Sequence, residues 1–261
     1  MDIRGKRVLI TGASKGLGRG MVEAFAREGA KLALVARSEG PIRELAEKHG
    51  GTAHPCDLMD MEAVVGLVDR VEREAGPIDV LVNNAGVSHV GDTLGNTPEE
   101  IHQIIQTNLT APIQITRQLL PRMIERGGGY IVNMSSIAAI FAPSGLVHYG
   151  ASKAGLSHYT AGLRTEFHRF GIRTTLVEIG SAATEMDDAT QAYGPYKKMR
   201  GDKSNREVQM PVEQVVDAIV DAVKNDRRHV RLPRAIASLG MFTEVPRRLG
   251  EIVMGRLTRE A

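Results

Sequence analysis

An α/β fold, a doubly wound parallel sheet of about seven strands with helices on both faces, is predicted by three observations. Short apolar runs of strand length alternate with amphipathic stretches of helical period. The strand-length runs are nearly continuous in Val, Ile and Leu, the composition of strands covered on both faces. No linker, internal repeat or low-complexity tract breaks the alternation, so residues 1–261 are expected to form one domain.

The expected strands are Arg7–Thr11, Lys31–Ala36, Gly51–Cys56, Ile78–Asn83, Tyr130–Ser135, Arg173–Ile179 and a short His229–Leu232. Between them, Leu17–Glu28 carries Leu17, Met21 and Phe25 along one stripe, the spacing of a helix face. Ile42–His49, Glu62–Glu74, Glu99–Glu125, Tyr149–Phe170 and Val212–Lys224 also read as helices. Thr97-Pro98-Glu99-Glu100 is a helix start: Thr caps, Pro fits the first turn, and the acids suit the dipole. Pro211 opens the last helix in the same way.

Composition removes several classes of function. A net charge of +2, without a dense Lys/Arg block, argues against nucleic-acid binding. The single cysteine, Cys56, excludes an internal disulfide framework and reads as a small buried residue. The eight histidines show no metal-ligand spacing, so no metal is expected. No stretch of about 18 apolar residues is present, so no spanning helix is expected. Residues Met1–Arg7 are charged and lack the apolar core of a leader. A soluble, cytoplasmic protein with a mainly aliphatic core is the expectation, because aromatics make up only 4% of the chain.

The first strand ends in Thr11-Gly12-Ala13-Ser14-Lys15-Gly16-Leu17-Gly18, and a helix follows at once. This context makes the glycines a dinucleotide-binding turn. Gly12 permits the tight turn, Gly16 lets backbone approach a pyrophosphate, and Gly18 lets helix and strand pack closely. The free N–H groups and dipole of the helix start suit phosphate. The second strand ends at Ala36-Arg37, where an acid would select the ribose 2′-hydroxyl of NAD and an Arg accommodates a 2′-phosphate. Lys15 is a second cation for the same dianion. NADP(H) is therefore the expected cofactor, with NAD(H) the alternative.

The G-x-x-x-G-x-G spacing, with Thr before it, resembles the short-chain dehydrogenase/reductase family, whose Rossmann-type fold matches the alternation above. The resemblance runs from about residue 5 to 232. It implies cofactor contacts from Gly12, Ser14, Lys15, Gly16, Leu17, Gly18 and Arg37. It implies adenine contacts from Asp57, with Leu58 donating from its backbone, after Cys56. Asp57 by itself is equally a turn or capping residue. Asn83-Asn84-Ala85-Gly86 resembles the family's NNAG segment, placing Asn84, Ala85 and Gly86 along the cofactor.

Tyr149-Gly150-Ala151-Ser152-Lys153 sets Tyr149 and Lys153 four apart on one helix face. A free phenol titrates near 10 and is a poor base at neutral pH. A nearby ammonium favours the phenolate, so the pair makes a proton donor and acceptor. Ser136 stands at the family's spacing before Tyr149. Ser135 competes for the role, and strand alternation alone does not choose between them. Asn108 completes the family set, with the implied role of holding a water that links Lys153 to solvent. The implied catalytic residues are thus Asn108, Ser136, Tyr149 and Lys153, and Tyr149 and Lys153 also contact the cofactor.

After the sixth strand the family's Pro-Gly is replaced by Ile179-Gly180, followed by Thr184; Ile179 and Thr184 are the implied contacts to the nicotinamide carboxamide. Residues 185–210, with Met186, Tyr193, Tyr196 and Met199, read as a substrate lid or as a solvated connection. Ser88, His89, Val90 and Phe141–His148 are expected to line the cleft, the two histidines as walls rather than as acids or bases.

From about residue 233 to 261 an extension carries a stripe of Leu249, Ile252, Val253 and Leu257 beside Arg247, Arg248, Arg256 and Arg259, with Met241 and Phe242 earlier. It reads as a docked amphipathic helix, with peripheral membrane contact or a partner subunit as alternatives. The resemblance implies a homodimer or homotetramer and an NADP(H)-linked oxidoreductase that interconverts a carbonyl and a secondary alcohol. A 3-oxoacyl thioester or steroid-type ketone, and a non-catalytic NADP(H)-binding regulator, are the alternatives; intact Ser136, Tyr149 and Lys153 argue against the last.

Overall fold

A computed structural model describes residues 1–200, 203–204 and 209–234, without the side chains of residues 199 and 200. Seven strands, β1 (Arg7–Thr11), β2 (Lys31–Ala36), β3 (Thr52–Pro55), β4 (Val80–Asn83), β5 (Gly129–Ser136), β6 (Ile172–Ile179) and β7 (His229–Leu232), form one sheet in the order β3-β2-β1-β4-β5-β6-β7. Every pairing is parallel. The order runs outward in both directions from β1 and β4, and the crevice at this switch point lies beyond the strand C-termini.

Alternation along each strand assigns the two faces. Val8 and Ile10 point to one side with Leu32, Leu34, Val80 and Val82, where they meet Met21, Val22 and Phe25 of α1 (Gly16–Arg27), Ile42 and Leu45 of α2 (Glu39–His49), and Val215, Val216 and Ile219 of α10 (Val212–Lys224). Leu9, Val35, Leu81 and Ile131 point to the other. There they pack on α3 (Met61–Val65), α4 (Leu67–Ala75), α6 (Ala111–Glu125) and α7 (Val147–Phe167). The expected two-faced fold is therefore present.

Three stretches differ from their sequence reading. Glu62–Glu74 is two helices, α3 and α4, because Gly66 ends the first and starts the second; helical period does not register so short a break. Residues Glu99–Glu125 are α5 (Pro98–Ile105), a π-helical turn over Gln106–Thr110, and α6. Thr97 makes the expected cap, in reciprocal bonds with Glu100. In place of an open connection, residues 185–210 begin as two helices, α8 (Glu185–Ala192) and α9 (Gly194–Arg200). Met210 then returns to pair with Ala182.

Met241, Phe242, Leu249, Ile252, Val253, Leu257 and the nearby arginines of the expected docked helix lie outside the described residues. Among the described residues, no helix is long and apolar enough to cross a membrane and no group of three His, Cys, Asp or Glu is placed to hold a metal.

Candidate active site

At the C-terminal end of β1 the chain turns through Gly12, whose φ of +67° favours glycine. Thr11 organises the neighbouring strand end: its Oγ1 donates to Val82 O and accepts from the backbone N–H groups of Asn84 and Ala85 at 3.0 and 3.1 Å. Asn84 Nδ2 returns two bonds, to Thr11 O and Gly12 O. A Cβ on Gly18 would fall inside the Gly12 carbonyl oxygen and 2.8 Å from Asn84 Nδ2, so the close helix–strand approach is real. Gly18→Ala is expected to force this turn apart and destabilise the fold by about 1–3 kcal/mol, with dinucleotide affinity falling in parallel. Thermal unfolding and NADPH fluorescence titration check it; a variant equal to wild type in both would remove the turn from the argument.

The same turn offers a phosphate cradle. Helix α1 starts at Gly16, its cap residue Lys15 makes no side-chain cap bond, and its first turn holds no acid. Its first N–H groups therefore face the crevice without an internal acceptor. Gly16, at φ +54°, sits where a Cβ would come within 3.3 Å of the Thr184 side chain. Ala13 N–H donates to Val35 O at 3.1 Å, which sets the turn beside the end of β2 and the exposed Arg37. The glycine cradle fits the pyrophosphate of a dinucleotide. Lys15 Nζ, however, reaches Glu185 Oε2 at 2.6 Å.

Asp57 follows β3 and accepts from Met59 N–H in a local turn, while Leu58 and Cys56 are buried. Burial pushes the Cys56 thiol up, so it stays protonated. Asp57 thus makes the turn after β3, a role compatible with the adenine contact the resemblance implies.

The pairing of β5 separates the two serines. Ser135 Oγ turns toward α7, donating to Lys153 O at 3.1 Å and meeting Ser157 Oγ at 2.8 Å. Ser136 Oγ turns the other way, donating to Ile179 O and accepting from Ala138 N–H. The Ser136 hydroxyl acts on the Tyr149 phenol, easing its ionisation. Ser136 is therefore the serine at Tyr149.

Lys153, 4% exposed, passes under Tyr149 with Nζ 5.7 Å from the ring centroid and donates to Met134 O at 2.8 Å. Burial pushes Lys153 down to about 8. Burial also pushes Tyr149 up to about 12, with the Ser136 hydroxyl opposing and the Asp187 carboxylate adding to the rise. Both groups are displaced toward their neutral forms by removal from water.

Asn108 sits in the π-helical turn, fully buried. Its side chain bonds both backbone groups of Val87, at 2.8 and 2.9 Å, and donates to Ser152 Oγ at 3.1 Å. Ser152 Oγ in turn donates to Tyr149 O. A Cβ on Gly86 would touch both Asn108 Oδ1 and Lys153 Nζ at 3.3 and 3.4 Å. The small residue thus lets the loop after β4 run between the two. The extra helical residue at 106–110 is what aims Asn108 inward, a frequent use of such bulges.

Below this layer, Asn83 Nδ2 donates to Asn133 and Thr116, and Asn133 Nδ2 to Thr160, which ties β4, β5, α6 and α7 together under the site.

Ile179 carries its carbonyl to Ser136, and Thr184 caps α8 by accepting from Asp187 N–H. Asp187 Oδ2 accepts from Ser181 and Gln209, and burial raises its carboxyl above the ordinary value. On the far wall, His89 meets Gln103 at 2.7 Å and Glu100 at 3.4 Å. Nε2 of His148 is buried without a partner. The Tyr193 ring closes over Gly145 and stands 6.3 Å from that of Tyr196. Sequence reading missed three contributors: Thr11 as an organiser, Ser152 as the link from Asn108 to Tyr149, and Glu185 opposite Lys15. Ser152 was signalled by its place between Tyr149 and Lys153; Glu185, 170 residues from its partner, had no local signal.

The short chain dehydrogenase family profile matches residues 6–193. A fatty acyl-CoA reductase of Mycobacterium tuberculosis is 39% identical over 202 residues, covering 74% of this chain and 68% of that protein. A ketoacyl reductase of Nostoc sp. is 37% identical over 234 residues, covering 87% and 78%. Among solved structures, a short-chain dehydrogenase from Sphingobium yanoikuyae in complex with NADPH superposes with a TM-score of 0.78 at 28% identity, covering 95% of this chain and 94% of that one.

Proposed function

The chain belongs to the short-chain dehydrogenase family, and on that footing we propose that it is an NADP(H)-dependent reductase that interconverts a carbonyl and a secondary alcohol, with Tyr149 as its acid and base. The observation that carries the reading is the meeting of Tyr149, Ser136 and Lys153 at the crevice end of β5 and α7, beside the glycine turn of β1. Fold likeness alone would not carry it, since one fold serves many chemistries.

The nicotinamide, when bound, supplies or takes the hydride. Tyr149 Oη gives the proton to the substrate oxygen in reduction and takes it back in oxidation. Ser136 Oγ holds that oxygen; to do so its hydroxyl leaves Ile179 O. Lys153 supplies positive charge beneath the phenol, which stabilises the phenolate left after proton donation. Asn108 fixes the Val87 backbone and, through Ser152, the first turn of α7 that carries Tyr149. Lys15 and Arg37 would hold the 2′-phosphate, and Ile179 and Thr184 would border the nicotinamide. In the free protein Tyr149 is neutral at physiological pH, the form that donates a proton in reduction.

The named relatives that reduce acyl-CoA and ketoacyl groups make thioesters and 3-oxoacyl thioesters the first substrates to try. Loss of absorbance at 340 nm, with NADPH and with NADH, across ketones, 3-oxoacyl thioesters and steroid-like ketones tests the reading. Turnover is expected with at least one class, at higher kcat/KM for NADPH. Faster reaction with NADH throughout would overturn the cofactor assignment.

A further inference from the structure

The cation expected to meet a cofactor phosphate is already held by a carboxylate of the lid. Lys15 caps α1 at the glycine turn, and its Nζ lies 2.6 Å from Oε2 of Glu185, the first residue of α8. The approach is built from backbone as well as side chains. Thr184, the cap residue of α8, stands 3.3 Å from where a Cβ of Gly16 would be, so the starts of α1 and α8 face each other across the crevice. Both side chains are more than 70% exposed, so the pair is accessible to an incoming ligand.

The other acids in the first turn of α8 have partners of their own. Asp187 accepts from Ser181 and Gln209, and Gln209 also donates to Asp188. Asp187 already complements the α8 dipole. Glu185 is the acid turned out toward the glycine turn.

Resting on the NADP(H) reading above, we propose that Glu185 is a specificity-determining residue: it competes with the cofactor's 2′-phosphate for Lys15 and so weakens the preference for NADPH over NADH. A phosphate dianion that takes Lys15 releases the Glu185 side chain, and the coupling between the two runs equally in both directions. Because an exposed ion pair is weak, the competition is modest and screened by salt.

The test is fluorescence titration of NADPH and NADH with the full-length wild type, Glu185→Gln, Lys15→Gln and the double variant, at low and moderate salt. Glu185→Gln is expected to tighten NADPH about two- to fivefold, to change NADH affinity less, and to have no effect on NADPH once Lys15 is already Gln. Equal tightening of both dinucleotides, an unchanged NADPH affinity, or a gain that survives in the Lys15→Gln background would overturn the proposal while leaving the NADP(H) reading intact. Failure of the wild type to bind either dinucleotide would sink both.

Discussion

Tyr149→Phe is expected to lower turnover by about two to four orders of magnitude while the protein folds and binds NADPH as the wild type does. The ring stays in place and only the hydroxyl is lost. That hydroxyl belongs to the phenol of α7 on which Ser136 acts, and the ring lies over the Lys153 ammonium. His148, next in sequence, has a buried and unpartnered Nε2 and is the natural substitute if one exists. Steady-state turnover read beside a dinucleotide titration separates the two effects. Activity within a few fold of wild type would move the acid from Tyr149 to another group, and the His148→Ala variant would then show whether it is that one.

Lys153→Met is expected to abolish most turnover and yet to raise thermal stability. Lys153 is buried and its ammonium is displaced from 10.5 to about 8 by desolvation alone. At neutral pH the folded protein therefore holds a cation that water would solvate better, a cost of about 3 kcal/mol. The bond from Nζ to Met134 O offsets about 1 kcal/mol of this and is lost in the variant. A net gain of about 2 kcal/mol corresponds to roughly 5 °C in Tm for a chain of this size.

The pH dependence has a definite sign. The folded pKa lies below the unfolded one, so between about 8 and 10.5 the unfolded chain binds more protons at this site. Wild-type stability thus rises with pH through that window, and the advantage of Lys153→Met is full below pH 8 and gone by about 10.5. Tyr149 acts in the opposite sense but later: its neutral form contributes stability below pH 10 that is lost as pH approaches about 12. Thermal melts of both proteins from pH 6 to 10 check this. A variant less stable than wild type at pH 7 would show that Lys153 is a net structural tie, and that its place in the site carries no stability cost.

The sheet was readable because its strands are short, nearly continuous apolar runs set between helical stretches. Which layer Val8, Leu9 and Ile10 each enter came only with the structure. The glycine turn was readable because Gly12 and Gly18 are demanded by backbone geometry, and Thr97 with Glu100 announced its own cap. What escaped was whatever depends on one residue or on distant pairing. The π-helical turn at 106–110 adds a single residue to a helix, too little to disturb its apolar stripe, yet it is what points Asn108 at Gly86 and Lys153. Ser135 and Ser136 are neighbours on opposite faces, so only the pairing of β5 and its packing on α7 separates them. The ion pair of Lys15 with Glu185 joins residues far apart in the chain, and no local pattern encodes it.

The most direct test of the central claim is deuterium transfer from NADPH deuterated at nicotinamide C4 to a mixture of ketones and 3-oxoacyl thioesters, with the alcohols read by mass spectrometry. The account predicts one deuterium on the carbinol carbon of at least one product with the wild type, and almost none with Tyr149→Phe at the same cofactor occupancy. NADPH bound by the wild type, with no deuterium delivered to any carbon, would contradict it and leave a dinucleotide-binding protein in place of a reductase.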